Sequence, residues 1–416
     1  MERREFVAAG AAGIAGFGLR IADWPRPTSG SPNPQSAVRN PQSAQEPSLP
    51  PEVFARRLRR AQDELKTRKL DVLIATPSTN YEYFTGYNPG RSERLIALVL
   101  PVSGAPAVVC PSFEVERIRR HSAPAIADVR GWEEQVDPYR LVREAVRGFM
   151  EAPARGTIAL ESSTAYVTYL RLADALDGWK FSDAAPVTER LRIVKAPEEV
   201  ALIRRAIDIT ESAIAATFAR LAAGMTERDV AQVLSGEMRQ RGAEGGGLVQ
   251  FGASSALPHG GPAAAALDRE TVVLIDCGCR VGGYESDITR TTWFGDHPAD
   301  EFRKVFDVVH DAQTAAMQLG RPLVTTCQEM DRAARKVITD AGYGPFFTHR
   351  LGHGLGMDGH EVPYLVEGNE TRLEPGMVFT IEPGIYQLGK FGVRIEDDCI
   401  MTENGVEVLS HRVSKL

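Results

Sequence analysis

Apolar positions along the chain change spacing several times, and each change marks a predicted element. Val53, Phe54, Leu58, Ala61 and Leu65 recur at the three-to-four spacing of a helix. The run DVLIA at 71–75 is short and apolar enough for a buried strand, and 94–100, 105–110 and 157–160 read the same way. Helical patterns such as 139–150 lie between these strands. Such alternation predicts an α/β amino-terminal domain. LRIVKAP at 191–197 closes it, and Pro197 with Glu198 and Glu199 opens a long helix. Proline lacks the amide hydrogen that a first helical turn cannot use, and acids complement the positive helix start.

Beyond this point one pattern occurs twice. Helices are predicted at 198–221 and 227–239, then strands at 271–277 and 288–294. Helices return at 301–319 and 327–341, followed by strands at 377–382 and 393–401. GMTERDV from Gly224 and VTTCQEM from Val324 open the second helix of each half. We read an α+β domain with an internal pseudo-twofold duplication, each half a helix–helix–hairpin unit.

The first fifty residues follow neither pattern. MERREF precedes an Ala/Gly-rich apolar run from Val7 to Leu19, so Arg3, Arg4 and Phe6 resemble a twin-arginine export signal. The run is too short and glycine-rich for a comfortable membrane span. The next stretch is rich in Pro, Ser, Gln and Asn, with NPQSA at Asn33 and again at Asn40, and cannot bury a core. The resulting organisation is a signal at 1–23, a linker at 24–50, an amino-terminal domain at 51–192 and a carboxyl-terminal domain at 193–416. An exported destination follows, periplasmic or extracellular, with the export machinery as a partner and membrane tethering if the signal is retained.

Composition narrows the function. A net charge of −7 over 416 residues offers no broad surface to a polyanion, so no nucleic-acid role is expected. Five scattered cysteines in a chain of this size do not make a disulfide framework. Cys277 and Cys279 read as small residues around a buried strand end. His121, the one histidine of the amino-terminal domain, reads as a solvated helix-end residue.

The chemistry gathers in the second half. TVVLIDCG places Asp276 at the end of an apolar strand, and Asp287 follows in ESDITRT. MVFTIEPG places Glu382 likewise, and GVRIEDD holds Glu396 two residues after Arg394, on the same strand face. Buried carboxylates are costly unless paired or metal-bound. Arg290 and Arg394 are the main candidate cations in these strands, too few for so many acids. Two divalent ions would supply the missing positive charge. HRLGHGLGMDGHEVP adds His349, His353 and His360 in a glycine-rich setting, and His259 occurs in LPHGG. Any one of these histidines alone reads as a loop or core residue; the set does not. One imidazole with four carboxylates is oxygen-rich, which favours manganese, with cobalt, iron or zinc as alternatives.

In these motifs the chain resembles the pita-bread metallopeptidases, the family of prolidase, aminopeptidase P and methionine aminopeptidase, whose fold creatinase shares. The resemblance runs from Glu52 to the carboxyl end. It implies an α/β domain followed by an α+β pita-bread domain. Asp276, Asp287, His353, Glu382 and Glu396 would be the ligands of a dinuclear centre, with Asp287 and Glu396 bridging or nearly so. His259 and His360 would be substrate-side histidines, His349 a supporting one and Arg394 a second-shell arginine. TPSTNYEYFTGY from Thr76 and HEVP from His360 are similar to the prolidase branch. That branch implies short proline-containing peptides as substrates, cleavage before proline, and a homodimer. Glu382 would shuttle the proton that the proline nitrogen needs in order to leave. Two rival readings are a creatinase-like, metal-independent carbon–nitrogen hydrolase and a non-catalytic binding protein retaining the fold.

Overall fold

The computed structural model describes residues 49–149, 155–261 and 265–416. The signal at 1–23 and nearly all of the linker at 24–50 lie outside the described residues.

The amino-terminal domain runs α1 (Pro51–Thr67), β1 (Val72–Ala75), α2 (Thr79–Thr85), β2 (Ala97–Pro101), β3 (Ala107–Pro111), α3 (Val115–His121), β4 (Asp128–Trp132), α4 (Pro138–Gly148), β5 (Thr157–Leu160), α5 (Tyr166–Ala175), β6 (Lys180–Asp183) and α6 (Ala185–Ile193). Its strands form one sheet in the order β4-β3-β2-β1-β5-β6. The inner strands β1, β2 and β3 are buried throughout, which explains their continuous apolar runs. Leu73, Leu98 and Val108 share a core with Leu58 and Leu65 of α1, while Ile74, Val99 and Val109 pack with Val142 and Val146 of α4. Alternate side chains thus leave opposite sheet faces, each covered by helices.

The catalytic domain runs α7 (Pro197–Phe218), α8 (Glu227–Gln240), β7 (Glu244–Phe251), β8 (Thr271–Val281), β9 (Tyr284–Glu285), β10 (Ile288–Phe294), α9 (Asp300–Leu319), α10 (Cys327–Asp340), β11 (Gly352–Gly354), β12 (Glu361–Leu365), β13 (Val378–Ile381), β14 (Gly384–Gln387), β15 (Phe391–Arg394), β16 (Asp397–Thr402) and β17 (Gly405–Val408). One sheet has the order β10-β8-β7 and another β12-β11-β13-β16-β17, with β14 and β15 as a separate pair. The duplication is visible in the caps. Thr226 caps α8 with Asp229 reaching back, and Thr326 caps α10 with Glu329 doing the same. Each of these threonines also makes an isolated bridge, to Ala266 and Arg372.

The strand expected at 393–401 is two strands. β15 pairs with β14 and β16 with β13, so Ile395 and Glu396 cross between sheets. The expectation rested on apolar alternation, which continues through the crossover. Strands β7, β11 and β12 were not expected, because glycine weakens the pattern of side chains in the first two. The cysteines are all buried free thiols, with Cys277 and Cys279 within β8. His121 is exposed and donates from Nδ1 to the Arg117 carbonyl at the end of α3.

Charged pairs hold the domains together. Arg57 meets Glu199 at 2.7 Å, both side chains nearly inaccessible. Arg192 pairs with Asp358 and Glu361, Lys195 meets Glu361 at 2.7 Å, and the Thr79 hydroxyl donates to Asp358 at 2.6 Å. These contacts clasp the segment that carries His360.

Candidate metal centre

Strand ends deliver the acids. Asp276 of β8 lies opposite Thr289 of β10 in the antiparallel register. Asp287 precedes β10, Glu382 follows β13, and Glu396 occupies the crossover. His353 sits in the middle of β11, paired with Tyr364 of β12. Gly352 and Gly354 flank it because a Cβ on either would strike the backbone of Thr380 or Val362.

These side chains form overlapping clusters, each with its ligand atoms within 4.8 Å of one another. One is Asp276, Asp287 and Glu396; a second is His353, Glu382 and Glu396; a third is Asp287, His353 and His360. Glu396 and Asp287 each belong to two of them.

Hydrogen bonds fix the histidine tautomers. His353 Nδ1 donates to the Gly354 carbonyl at 3.1 Å. The bare Nε2 lone pair then faces Glu382 Oε1 at 3.4 Å and Asp287 Oδ2 at 3.7 Å. Burial lowers the pKa of His353 to about 3, so its ring is neutral. His349 donates from Nδ1 to the Arg350 carbonyl at 2.7 Å, which leaves Nε2 to accept from the Tyr386 hydroxyl at 2.8 Å. Burial takes His349 down to about 4. Arg350 Nη2 donates to His360 Nδ1 at 3.2 Å. A guanidinium cannot accept, so the hydrogen of neutral His360 is on Nε2. That ring lies 3.9 Å from the ring of His353. With its Nε2 hydrogen in place, neutral His360 offers a hydrogen-bond donor at that atom rather than a free lone pair. His259 lies on an exposed turn, and the adjacent Pro258 carbonyl receives Arg394 Nη1 at 3.4 Å.

Arg394 is the hub of the surrounding network. It donates to Asp276 at 2.7 Å, to the Tyr386 hydroxyl at 2.8 Å and through Nε to the Thr289 hydroxyl at 2.9 Å. Thr289 passes its own hydrogen to Glu396 at 2.6 Å. Asp287 is oriented by its backbone amide, which donates to Asp398 at 3.1 Å. Thr380 bonds Glu382 through its hydroxyl, which also accepts the His353 amide. Tyr386, Thr289, Thr380, Asp398 and Arg350 were missed by sequence reasoning. Thr289 and Thr380 stand two residues from Asp287 and Glu382, an i,i+2 signal that could have found them.

The donor set suits divalent ions. Burial raises the pKa values of Asp287 and Glu396 well above the usual carboxylate range; repulsion from Asp276, Asp398 and Glu382 raises Asp287 further, and repulsion from Asp287, Glu382 and Asp276 raises Glu396 further. Burial carries Glu382 to about 8. Bare imidazole nitrogen and several desolvated carboxylate oxygens converge, while Arg394 is committed to Asp276. The chemistry is that of a cation site, and overlap at Glu396 and Asp287 fits two ions.

Comparison with known proteins identifies the family. Residues 201–403 match Metallopeptidase family M24, and residues 57–194 match the Creatinase/Prolidase N-terminal domain. An uncharacterized peptidase of Staphylococcus aureus is 34% identical over 352 residues, covering 84% of this chain and 97% of its own. The crystal structure of dipeptidase PepE from Mycobacterium ulcerans superposes with a TM-score of 0.82 at 37% identity, covering 89% of this chain and 99% of that one. A prolidase from Thermococcus sibiricus gives 0.80 at 30% identity, with 89% and 99% covered. An α/β domain of the creatinase/prolidase kind, followed by a duplicated domain that converges strand-end acids and a bare imidazole, makes this chain a member of metallopeptidase family M24.

Proposed function

We propose that the chain hydrolyses the peptide bond before proline in short peptides, using two divalent ions, with manganese the preferred metal. The observation that carries this reading is the convergence of Asp276, Asp287, His353, Glu382 and Glu396 in overlapping clusters. Similarity to a prolidase and a dipeptidase supports the substrate class. Ions held by these residues would supply Lewis acidity and activate a water. The chain's own groups do the rest. His360 presents Nε2–H where the scissile carbonyl oxygen gains negative charge. Glu382, whose proton affinity burial has raised, takes the water's proton and delivers it to the proline nitrogen, which has no hydrogen before cleavage. Arg394 compensates Asp276 and holds Tyr386 and Thr289 in place.

We further propose export through the twin-arginine pattern at Arg3 and Arg4, which would let the folded chain acquire its metal before crossing, and assembly as a homodimer. The decisive test of activity is hydrolysis of Ala-Pro and Ala-Pro-Ala by metal-stripped protein with and without manganese. Manganese-dependent cleavage before proline is expected. Failure to cut either peptide, in protein shown to hold metal, would overturn the reading and favour a different specificity or a binding protein.

A further inference from the structure

Glu382 and Glu396 stand where a ladder opens. The antiparallel strands β13 and β16 pair as far as Ile381 opposite Asp397, and the two acids occupy the next position on each side. There the backbone amides turn elsewhere, Glu382 to the Leu351 carbonyl at 2.8 Å and Glu396 to the Thr289 carbonyl at 3.2 Å. A side chain from α9 enters the opening. Gln313 is 0% exposed, and its Nε2 donates to the Ile381 carbonyl at 3.1 Å, the Ile395 carbonyl at 3.2 Å and Asp397 Oδ2 at 3.0 Å. All three neighbours are acceptors, which fixes the amide with its nitrogen towards them. Among the described residues nothing bonds Gln313 Oε1, which is buried, so the polar role of this residue lies in its donors. Ile381 and Ile395 immediately precede Glu382 and Glu396. One amide therefore holds the two peptide planes that lead into both acids.

We propose that Gln313 is a positioning residue that sets the separation of Glu382 and Glu396, and thereby the affinity for one ion of the pair. The inference rests on the two-metal part of the proposed function and deepens it. Glu382 belongs to the cluster with His353 and Glu396, and not to the one formed by Asp276, Asp287 and Glu396. Glu396 has further supports. Arg290 Nη1 donates to its carbonyl at 2.5 Å, and the Thr289 hydroxyl donates to its carboxylate at 2.6 Å. Arg290 also meets Asp397 Oδ1 at 2.8 Å, and the Ser410 hydroxyl meets the same oxygen at 2.7 Å, so Asp397 is anchored without the amide. Removing the Gln313 donors therefore loosens Glu382 against Glu396 and leaves these other bonds in place. Groups that hold ligands in a preset arrangement raise metal affinity, because the ion need not order them. The ion shared by His353, Glu382 and Glu396 depends on that spacing. The ion shared by Asp276, Asp287 and Glu396 does not.

Manganese should be titrated calorimetrically into the stripped full chain as wild type, Gln313→Met and Gln313→Glu. Gln313→Met keeps the length of the side chain and removes both donors. Wild type should take up two ions. Gln313→Met should take up one with unchanged affinity and the other about 10- to 100-fold more weakly, the scale for a lost outer hydrogen bond. Electron paramagnetic resonance reads the pair itself. At manganese levels that give wild type a spin-coupled signal, Gln313→Met should show isolated ions instead. Gln313→Glu, as a neutral acid among oxygen acceptors, keeps one hydrogen and should lie between the two; it carries the same comparison if Gln313→Met is not recovered folded. Wild-type affinity for both ions would overturn the proposal. So would equal weakening of both in step with a lower melting temperature of the stripped protein, which would make Gln313 an ordinary core residue. Wild type that binds fewer than two ions would overturn the two-metal reading and this inference with it. No turnover is read, so the result is independent of proline specificity.

Discussion

The Nε2 atom of His353 lies 3.4 Å from Oε1 of Glu382, while the ring's hydrogen is directed the other way, onto the Gly354 carbonyl. A lone pair facing an ionised carboxylate across that gap is repulsive without a cation or a shared proton. Protein hydrogen bonding has therefore selected the tautomer that a metal needs. The same acids that bind an ion well hold protons tightly when it is removed.

That competition predicts opposite pH responses of stripped and loaded protein. Glu382 moves from an ordinary 4.5 to about 8, and Asp287 and Glu396 move the same way. Folded, stripped protein then binds more protons than the unfolded chain between these limits. The contribution of these acids to its stability is full below about 4.5 and is lost as pH rises towards about 8. Metal binding requires deprotonated ligands and strengthens over the same interval. The difference in Tm between manganese-loaded and chelator-stripped protein should widen by several degrees from pH 5 to pH 8. A difference that stays constant or narrows would count against this ligand set.

Thr289 links Glu396 to Arg394 through one hydroxyl, accepting from Nε and donating to the carboxylate. Thr289→Val keeps the shape and removes both bonds. Loss of such an outer hydrogen bond should weaken metal binding about 10- to 100-fold. Competition with a chelator of known affinity measures the change, and a melting curve of the loaded protein checks the fold. Unchanged affinity would reduce Thr289 to a packing residue.

Tyr386 relays between Arg394 and His349, accepting from the first and donating to the second. Tyr386→Phe breaks both contacts and leaves the ligands untouched. A fall of about tenfold in kcat is expected, the scale of one hydrogen bond lost, at unchanged metal content. Full activity would show that His349 keeps its place through the Arg350 carbonyl alone.

How much of this was legible beforehand differs by level. Asp276 and Glu382 could be read because each ends a run of apolar residues, where a charge is conspicuous. The duplication could be read because helix periodicity and capping residues recur, as at Thr226 and Thr326. The break at Glu396 could not, since Ile395 continues the alternation while the backbone changes sheets. Tyr386 was hidden for another reason. A tyrosine within a strand reads as ordinary packing, and its hydroxyl finds His349 only through a contact spanning 37 positions. The same holds for Arg350, whose Nη2 reaches His360 Nδ1 ten positions away.

The proposal of export rests on Arg3 and Arg4 ahead of the apolar run, a pattern in the sequence alone. Replacing both with lysine keeps the charge and removes the paired guanidinium groups. Fractionation of cells should then find the protein retained in the cytoplasm, with its Xaa-Pro activity intact in lysates. Undiminished export of the double variant would mean that another route, or none, uses this segment.

The clasp around His360 makes the last prediction. Glu361 is shared by Lys195 and Arg192, and the side chains of Glu361 and Lys195 are only 8% and 2% exposed. Glu361→Gln keeps the shape but strands a buried ammonium beside a partly compensated arginine. Breaking a buried pair from one side costs about 3–5 kcal/mol. Arg192 retains Asp358, so the loss should fall at the lower end, and the melting temperature should drop by several degrees. The consequence should extend to catalysis, because His360 is the residue immediately before Glu361 and lies between the two clasped acids. A looser segment would place Nε2–H less consistently, raising KM and lowering kcat together, whereas Glu361→Asp should recover part of both. A variant as stable and active as wild type would show that the loop is held by Asp358 and its contacts with Thr79 and Arg192 alone.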